Sequence, residues 1–275
     1  MSASTAAGVV REAIGAATDA LAAAGVQTPR LDAELLLAEA ASVDRARLAA
    51  DPEAGIDPAT GRAFGAMVRR RVRREPVAYI LGRKGFRRIE LAVDRRVLIP
   101  RPETELLVEV ALELRPHTVL DVGTGSGAVA LAVADELPQV RVAATDVSEP
   151  ALQVARGNAA RLGLSDRVRF LSGSHRDSEP HALTLANLPY VSDAEWRLLE
   201  PEITEYEPRA ALVAGATGLE TIEALIPTVG PGVLALEVGA GQAPAVMSLM
   251  REAGFDGVET RRDLAGIERA AVGRR

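Results

Sequence analysis

The chain contains no cysteine, which excludes disulfide bonds, thiolate zinc sites, iron–sulfur clusters and cysteine nucleophiles. It has only three histidines, and none of them stands at metal-ligand spacing from other donors, so no metal site is expected. A run of about 20 apolar residues, the length that a membrane span needs, is also missing. The Ala-rich segment 13–26 carries Asp19 and lacks the basic leader of an export signal. We therefore expect a cytoplasmic protein.

What is present is an ordinary globular composition. The 275 residues are 48% hydrophobic and 25% charged, which is close to the average for folded domains and allows one large or two moderate domains. The net charge of -6 argues against a protein that coats nucleic acid uniformly. The charge is uneven, however. Residues 69–101 hold 12 basic and 3 acidic side chains, a local excess of +9 that makes this basic segment a candidate partner-facing surface.

Three regions differ in pattern. In residues 1–75 the apolar side chains recur at three- and four-residue spacings, which predicts a small helical domain that would recognise a substrate. Residues 76–101 contain short β-like runs at 78–81 and 89–93 joined by glycines, and they predict a β-hairpin linker. Residues 102–275 open with a proline and two acids, which favour a helix start, and then alternate between strand and helix patterns.

The alternation in the third region predicts an α/β fold, a Rossmann-like doubly wound sheet with helices on both faces. Its predicted strands are 118–122, 141–145, 168–171, 182–186 and 232–238. Its predicted helices are 128–136, 150–162, 219–227 and 243–253. The last segments, 258–263 and 269–272, would add two strands and a reversed edge.

A glycine-rich loop follows the first strand of this region and opens a helix, which is the context of a nucleotide-binding turn. A carboxylate before the first glycine would repel a dinucleotide pyrophosphate, whereas it would attract the ammonium and sulfonium groups of S-adenosylmethionine. A second acid, 25 residues later, ends the next strand and suits the ribose hydroxyls. The candidate cofactor-binding residues are Asp121, Gly123, Thr124, Gly125, Ser126, Gly127 and Asp146.

A second motif, Asn187-Leu188-Pro189-Tyr190, ends the fourth predicted strand and should therefore lie on the same sheet edge as the glycine loop. The Asn187 amide oxygen and the Leu188 carbonyl can each accept one hydrogen of a planar NH2 group, which leaves the nitrogen facing a methyl donor. Pro189 keeps Leu188 extended, and Tyr190 can stack on a planar substrate. A turn with a packed tyrosine is the structural alternative for the tetrapeptide alone.

The chain resembles the bacterial release factor glutamine N5-methyltransferases in these two motifs and in further motifs that are spread over nearly its whole length. The N-terminal half of the resemblance consists of 74–76, 79–82, Phe86 and the run Leu98-Ile99-Pro100-Arg101-Pro102-Glu103-Thr104-Glu105. The C-terminal half consists of 206–212, Gly215, 218–219, 237–239, Gln242, 263–266 and Arg269. The resemblance implies a helical N-terminal domain, a hairpin linker and a class I methyltransferase domain.

The chain departs from this family at two places. Leu188 replaces the first of two prolines that usually follow the asparagine, which gives the tetrapeptide of ribosomal RNA adenine dimethyltransferases. Ser174 and His175 stand where the family usually has an acid and an aromatic residue against the adenine. We expect His175 to stack on the adenine, with weaker binding than in the family pattern.

The resemblance implies that S-adenosylmethionine is the methyl donor and that the glutamine of the release factor Gly-Gly-Gln loop is the acceptor. Asn187, Leu188, Pro189 and Tyr190 would then be the catalytic residues, with Asn187 also beside the cofactor. Glu103 and Glu237 are possible supporting acids, although each could equally be a structural carboxylate. Two alternatives stay open, namely an RNA or DNA adenine N6-methyltransferase and a catalytically impaired cofactor-binding paralogue.

Overall fold

A computed structural model of the chain describes residues 8–173 and 180–275. The chain divides into two compact units, Met1–Gly82 and Arg83–Arg275. The sequence predicted boundaries after 75 and after 101 instead, with a separate linker between them. No helix in the described ranges is long and apolar enough to cross a membrane.

The first unit is helical, as the apolar spacing predicted. Buried apolar side chains from its helices, among them Leu21, Leu36 and Phe64, form one core. Inside it lies an ion pair in which Arg71 Nε donates to Asp32 Oδ2 over 2.7 Å. Its helices are α1 (Val10–Ala23), α2 (Pro29–Ala41), α3 (Arg45–Ala50), α4 (Pro58–Val72) and α5 (Val77–Leu81).

The prediction of a β-run at 78–81 is wrong, because these residues lie in α5. Pro76 precedes the first turn of this helix, and Gly82 ends it with a left-handed backbone at φ +72°. Val77, Tyr79 and Ile80 are β-formers by composition, but Tyr79 and Ile80 are buried in the helical conformation. Tertiary packing and the helix-end signals therefore outweigh the local β preference.

The second unit begins with the hairpin itself, formed by β1 (Arg83–Phe86) and β2 (Ile89–Ala92). A short 3-10 turn at Pro102–Thr104 then leads into a series of alternating helices and strands. The first part of the series is α6 (Glu105–Leu114), β3 (Thr118–Val122), α7 (Ala128–Glu136), β4 (Arg141–Asp146), α8 (Glu149–Arg161), β5 (Val168–Ser172), β6 (Leu183–Ala186) and β7 (Val191–Ser192). The rest is α9 (Asp193–Trp196), α10 (Pro201–Thr204), β8 (Val213–Gly215), α11 (Glu220–Leu225), β9 (Val233–Glu237), α12 (Ala243–Glu252), β10 (Asp256–Arg262) and β11 (Glu268–Arg274).

Seven of the described strands form one sheet in the order β10-β11-β9-β6-β3-β4-β5. The five strands from β9 to β5 are parallel, while β11 runs antiparallel to β9 and to β10. This confirms the predicted doubly wound sheet with a reversed edge. The inner strands β6 and β9 are buried along their whole length, as expected for a parallel sheet covered on both faces.

The strand order reverses between β3 and β6. From β3 the chain continues to β4 and β5 on one side, and it then returns to place β6 and β9 on the other. At such a switch point the loops after the carboxyl ends of neighbouring strands diverge and leave a crevice. The glycine loop follows β3 and the Asn187 motif follows β6, so the fold brings both motifs to this crevice.

Candidate active site

The glycine loop closes tightly against the neighbouring strand β4. The backbone N–H groups of Gly123 and Thr124 both donate to the Thr145 carbonyl over 2.9 Å. The loop then enters α7 through Gly127, whose φ is +85°. A Cβ at Gly127 would lie 2.9 Å from the Leu131 side chain and 3.3 Å from Ala155, so both backbone conformation and packing favour glycine there.

Asp121, at the end of β3, is hydrogen-bonded both to this loop and to the first turn of α7. It is only 2% exposed, and its Oδ2 accepts from the Thr124 hydroxyl at 2.6 Å and from the Ala130 N–H at 3.2 Å. Burial raises the pKa of this carboxyl to about 6, partly offset by these two hydrogen bonds. Asp121 therefore holds the loop to the start of α7 in addition to supplying negative charge beneath it.

Asp146 stands at the end of β4 and is partly exposed. Its Oδ2 accepts from the Gly125 N–H at 2.9 Å, and its Oδ1 accepts from the Ser148 N–H at 2.8 Å. Each carboxylate oxygen can accept a second hydrogen bond. The geometry thus fixes the carboxylate beside the glycine loop while leaving acceptor capacity for a diol.

Asn158 on α8 joins the hairpin to the glycine loop, a role that the local sequence does not indicate. The side chain is fully buried, and its Nδ2 donates to the carbonyls of Ala92 and Ser126 over 3.0 and 2.9 Å. Its Oδ1 accepts from the Ala92 N–H at 2.7 Å. Ser126 is itself buried and lines the candidate cavity, and its carbonyl accepts from Asn158 Nδ2.

The Asn187 motif presents two acceptors. Asn187 Nδ2 donates to Thr104 Oγ1 over 3.0 Å, which leaves Asn187 Oδ1 on the other side of the amide. Within residues 8–173 and 180–275, neither Asn187 Oδ1 nor the Leu188 carbonyl receives a hydrogen bond. The backbone after them is held in place, because the Thr221 hydroxyl donates to the Pro189 carbonyl and Gln242 Nε2 donates to the Tyr190 carbonyl.

Leu188 packs against the first glycine of the loop. Its side chain is buried, and a Cβ at Gly123 would lie 3.0 Å from Leu188 Cδ2 and 3.6 Å from the Asn187 carbonyl oxygen. The two motifs that the sequence placed in one crevice are therefore in direct contact. A leucine in place of the usual proline fills space beside the loop without removing the carbonyl.

Tyr190 and Thr104 both lie against Glu237 at the end of β9. The Tyr190 hydroxyl donates to Glu237 Oε1 over 3.3 Å. Burial raises the pKa of Glu237 to about 7; the hydroxyls of Thr104 and Tyr190 and the charge of Arg269 lower it, and the charge of Glu103 raises it. Burial also raises the pKa of Tyr190. Thr104 belongs to the motif 98–105, but nothing in the sequence indicates a separate role for it.

Glu207 orders the segment that leads to Thr104. It is buried, and its Oε2 accepts from the Ile99 N–H at 3.0 Å, while Arg101 donates to its Oε1. Leu98, Pro100 and Arg101 line the same cavity as the glycine loop. Hydrogen bonds beside the site therefore join the family motifs at 98–105 and 206–212. In the sequence, the only sign of this contact is that both segments belong to the same set of family motifs.

A cavity of about 50 Å³ brings the motifs together, since Thr104, Asp121, Asn187 and the glycine loop all line it. Two larger cavities, of about 460 and 560 Å³, lie at the amino ends of the strands, near Thr118 and Arg141 and near His117. Ligands of open parallel sheets bind at the carboxyl ends. We therefore assign the site to the small cavity and the open crevice beside it.

The expected adenine contacts of Ser174 and His175 fall on residues that lie outside the described ranges. No group of three acids or histidines that could hold a metal ion occurs within the described ranges.

The basic segment is largely paired within each unit. In the first unit Arg70 and Arg71 contact Glu75 and Asp32. In the second, the pairs are Arg83–Glu90, Arg87–Glu136, Arg88–Glu136, Arg96–Asp94 and Arg101–Glu207, and Arg95 lies over the Tyr206 ring at 4.4 Å. Several of these acids lie outside 69–101, so the segment is less positive than its sequence suggests. Its contact with a partner stays a prediction.

Comparison with known families now defines the class of protein. Residues 119–202, which contain the glycine loop, Asp146 and the Asn187 motif, match the methyltransferase domain family. A solved methyltransferase structure, the hMettl16 catalytic domain in complex with an RNA hairpin, superposes with a TM-score of 0.55 at 16% identity, covering 67% of this chain and 75% of that one. At this identity the likeness concerns the fold alone. The fold is that of a methyltransferase, and the matched domain contains the candidate site motifs.

The particular family follows from longer matches. Residues 12–82 match the PrmC N-terminal domain. The chain is similar to release factor glutamine methyltransferases of Caulobacter vibrioides (39% identity, 94% of this chain and 93% of the relative), Coxiella burnetii (42%, 90% and 93%) and Moorella thermoacetica (41%, 94% and 96%). The chain belongs to the release factor glutamine methyltransferase family, which confirms the resemblance drawn from its motifs.

Proposed function

We propose that the protein transfers a methyl group from S-adenosylmethionine to the side-chain amide nitrogen of the glutamine in the Gly-Gly-Gln motif of peptide chain release factors. The observation that carries this proposal is the pair of acceptors at Asn187 Oδ1 and the Leu188 carbonyl, which receive no hydrogen bond from the described residues. Two such acceptors match the two hydrogens of a primary amide. The names of the relatives supply the substrate.

The residues after β3 and β4 suit the cofactor. Asp146 offers carboxylate oxygens for ribose hydroxyls, and Asp121 places negative charge under the loop. The loop from Gly123 to Gly127 lets the backbone come close to a ligand, and we assign cofactor binding to these residues together with Asn187 and His175. When bound, S-adenosylmethionine supplies an electrophilic methyl group on a sulfonium. The carboxylates favour such a cation electrostatically.

Asn187 and the Leu188 carbonyl would act on the acceptor amide by orienting it. An amide nitrogen is a weak nucleophile, so proximity and alignment carry much of the rate. Accepting both hydrogens also raises electron density on the nitrogen and stabilises the positive charge that develops there. Pro189 fixes the backbone, and Tyr190 packs beside the amide. No residue is assigned as a general base in this mechanism.

The two units would divide the work. We infer that the helical unit contributes substrate recognition, whereas the second unit holds the cofactor and the reacting amide. We assign the hairpin to the second unit, because Asn158 joins its Ala92 to the glycine loop. Since release factors act in translation, the cytoplasm is the location this function requires.

Methylation of adenine N6 in RNA or DNA is the second candidate function. The exocyclic NH2 group of adenine has the same two hydrogens as a primary amide, and Leu188 gives the tetrapeptide of adenine methyltransferases. Labelled methyl donor, offered with an intact release factor, with RNA or with DNA, separates the two. We expect label in the release factor only, and none with Asn187→Ala. Label confined to nucleic acid would overturn the proposal. Cofactor binding by calorimetry without any transfer would instead indicate a paralogue without turnover.

A further inference from the structure

Glu237 is a buried carboxylate that the mechanism above does not use. It is 1% exposed at the end of β9, and its Oε2 accepts no hydrogen bond of ordinary geometry from the described residues. Its Oε1 accepts from the Tyr190 hydroxyl. Burying a carboxylate oxygen without a hydrogen bond costs free energy, so such a group in a folded protein calls for an explanation. Its position beside both ends of the tetrapeptide 187–190 suggests what that use is.

Thr104 connects Glu237 to Asn187. Its side chain is buried, and its Oγ1 accepts from Asn187 Nδ2 over 3.0 Å. The Thr104 hydroxyl also lowers the pKa of Glu237, although it forms no hydrogen bond of ordinary geometry with that carboxylate. A threonine hydroxyl has one proton and two lone pairs. When the proton turns to the carboxylate, only lone pairs face Asn187, and Asn187 must present its NH2 group to Thr104.

We propose that Thr104 and Glu237 are positioning residues that fix the orientation of the Asn187 amide, so that its oxygen rather than its NH2 group faces the substrate nitrogen. The inference rests on the proposed function, because an NH2-bearing substrate needs an acceptor at this point. The two orientations of an asparagine amide have nearly the same shape, so packing alone cannot select one. Hydrogen bonding must select it, and a flipped amide would set a donor against the donors of the substrate.

The charge of Glu237 keeps the Thr104 proton in place. The charged and titratable groups that face Glu237 are Glu103 from the 3-10 turn, Tyr190 from the loop after β6 and Arg269 from β11. Arg269 is shared, since its Nε also donates to Asp263 over 3.1 Å. Because burial raises the pKa of Glu237 to about 7, its protonation at lower pH would free the Thr104 proton to turn toward Asn187.

The first test compares Thr104→Val with Thr104→Ser, and uses Thr184→Val as the matched control because Thr184 is a buried threonine inside β6. The readout is steady-state methyl transfer to an intact release factor. Thr104→Val should lower kcat by about tenfold or more with little change in either KM, since orientation and not binding is lost. Thr104→Ser should retain most of kcat, and Thr184→Val should match the wild type.

The pH profile provides a second readout. We expect kcat of the wild type to fall as the pH drops through about 7, and this limb to disappear in Glu237→Gln, whose side chain does not ionise. Three results would overturn the inference: wild-type kcat in Thr104→Val, equal losses in Thr104→Ser and Thr104→Val, or an unchanged acidic limb in Glu237→Gln.

A third readout does not depend on turnover. The side-chain NH2 signals of Asn187 in NMR spectra, assigned by their loss in Asn187→Ala, should exchange slowly with solvent in the wild type and in Thr104→Ser, and quickly in Thr104→Val. Equal exchange in all three would contradict the positioning role. A wild type that methylates no release factor would refute the proposed function, while this exchange measurement would still decide the inference.

Discussion

Asn187 and Asp146 end different strands of one sheet, and their hydrogen bonds point to different tasks. Asn187 is held through its Nδ2 by Thr104 and keeps its oxygen available. Asp146 is held through both oxygens by the backbone of the glycine loop and of the start of α8. Substrate orientation and cofactor binding should therefore separate when either residue is changed.

Asn187→Ala should lower kcat by roughly a hundredfold, the usual loss when an orienting or charge-stabilising hydrogen-bond partner is removed, and leave most of the cofactor affinity. Asp146→Ala should raise the Kd for S-adenosylmethionine about tenfold or more, because hydrogen bonds to a charged group are lost. Calorimetry with the cofactor and methyl-transfer kinetics provide the two measurements. Equal losses of cofactor affinity in both variants would contradict this division.

Glu237→Gln should stabilise the protein increasingly as the pH rises. The folded protein keeps a proton on Glu237 up to about pH 7, whereas an ordinary glutamate loses it near 4.5, so the wild type loses stability between these values. A glutamine has no such cost. At about 1.4 kcal/mol per pKa unit, the free energy of unfolding of Glu237→Gln, relative to that of the wild type, should increase by roughly 3 kcal/mol over this pH range. Urea unfolding across this range measures it, and a constant difference would exclude it.

The sequence revealed some site residues and not others for a physical reason. Asn187 and Asp146 stand directly after predicted strands, so local pattern placed them at the sheet edge. Thr104 is hydrogen-bonded to a residue that lies 83 positions further along the chain, and Asn158 to one that lies 66 positions before it. Such pairs depend on the assembled fold. The motif 98–105 marked Thr104 as part of a family pattern but did not say what it touches.

At the level of elements, the glycine loop is the part of the site most constrained by backbone geometry. Gly123, Gly125 and Gly127 all have positive φ values between +56° and +85°. At Gly127, which opens α7, a side chain would also meet Leu131 at 2.9 Å and Ala155 at 3.3 Å. A substitution there should disturb the junction of β3 and α7 and, through it, the support that Asp121 gives to the loop.

Gly127→Ala should therefore destabilise the protein by about 1–2 kcal/mol from the left-handed backbone alone, with more from the contact with Ala155. The matched control is Gly157→Ala inside α8, where a Cβ would meet nothing within 4 Å. That change should stabilise the protein by about 0.5–1 kcal/mol, since alanine is the better helix former. Thermal and urea unfolding compare the two, and the same sign of change in both would refute the argument.

The elements themselves were predicted unevenly. The strands and helices of the sheet were recovered because buried parallel strands and amphipathic helices carry strong patterns. The 78–81 segment was predicted as a strand because a run of four residues is too short to show a helical period. The signals for its ends, Pro76 and Gly82, were present in the sequence, and α5 begins directly after Pro76 and ends directly before Gly82.

For the whole molecule, the net charge of -6 conceals a basic segment, and the structure in turn reduces the charge that this segment presents. Acids from other parts of each unit, such as Asp32, Glu136 and Glu207, pair with its arginines. The carboxylates of these three pairs are buried, with side chains at most 7% exposed, so salt screens the pairs less than it screens ion pairs on the surface. Composition could locate the segment, but only the fold identifies its partners.

The central claim is that the protein methylates the glutamine of the Gly-Gly-Gln motif. Mass spectrometry of the peptide that carries this motif, after incubation of an intact release factor with S-adenosylmethionine and the protein, tests it directly. We expect one added methyl group on the glutamine side chain with the wild type and none with Asn187→Ala. An unmodified glutamine, or a methyl group on any other residue, would contradict the account.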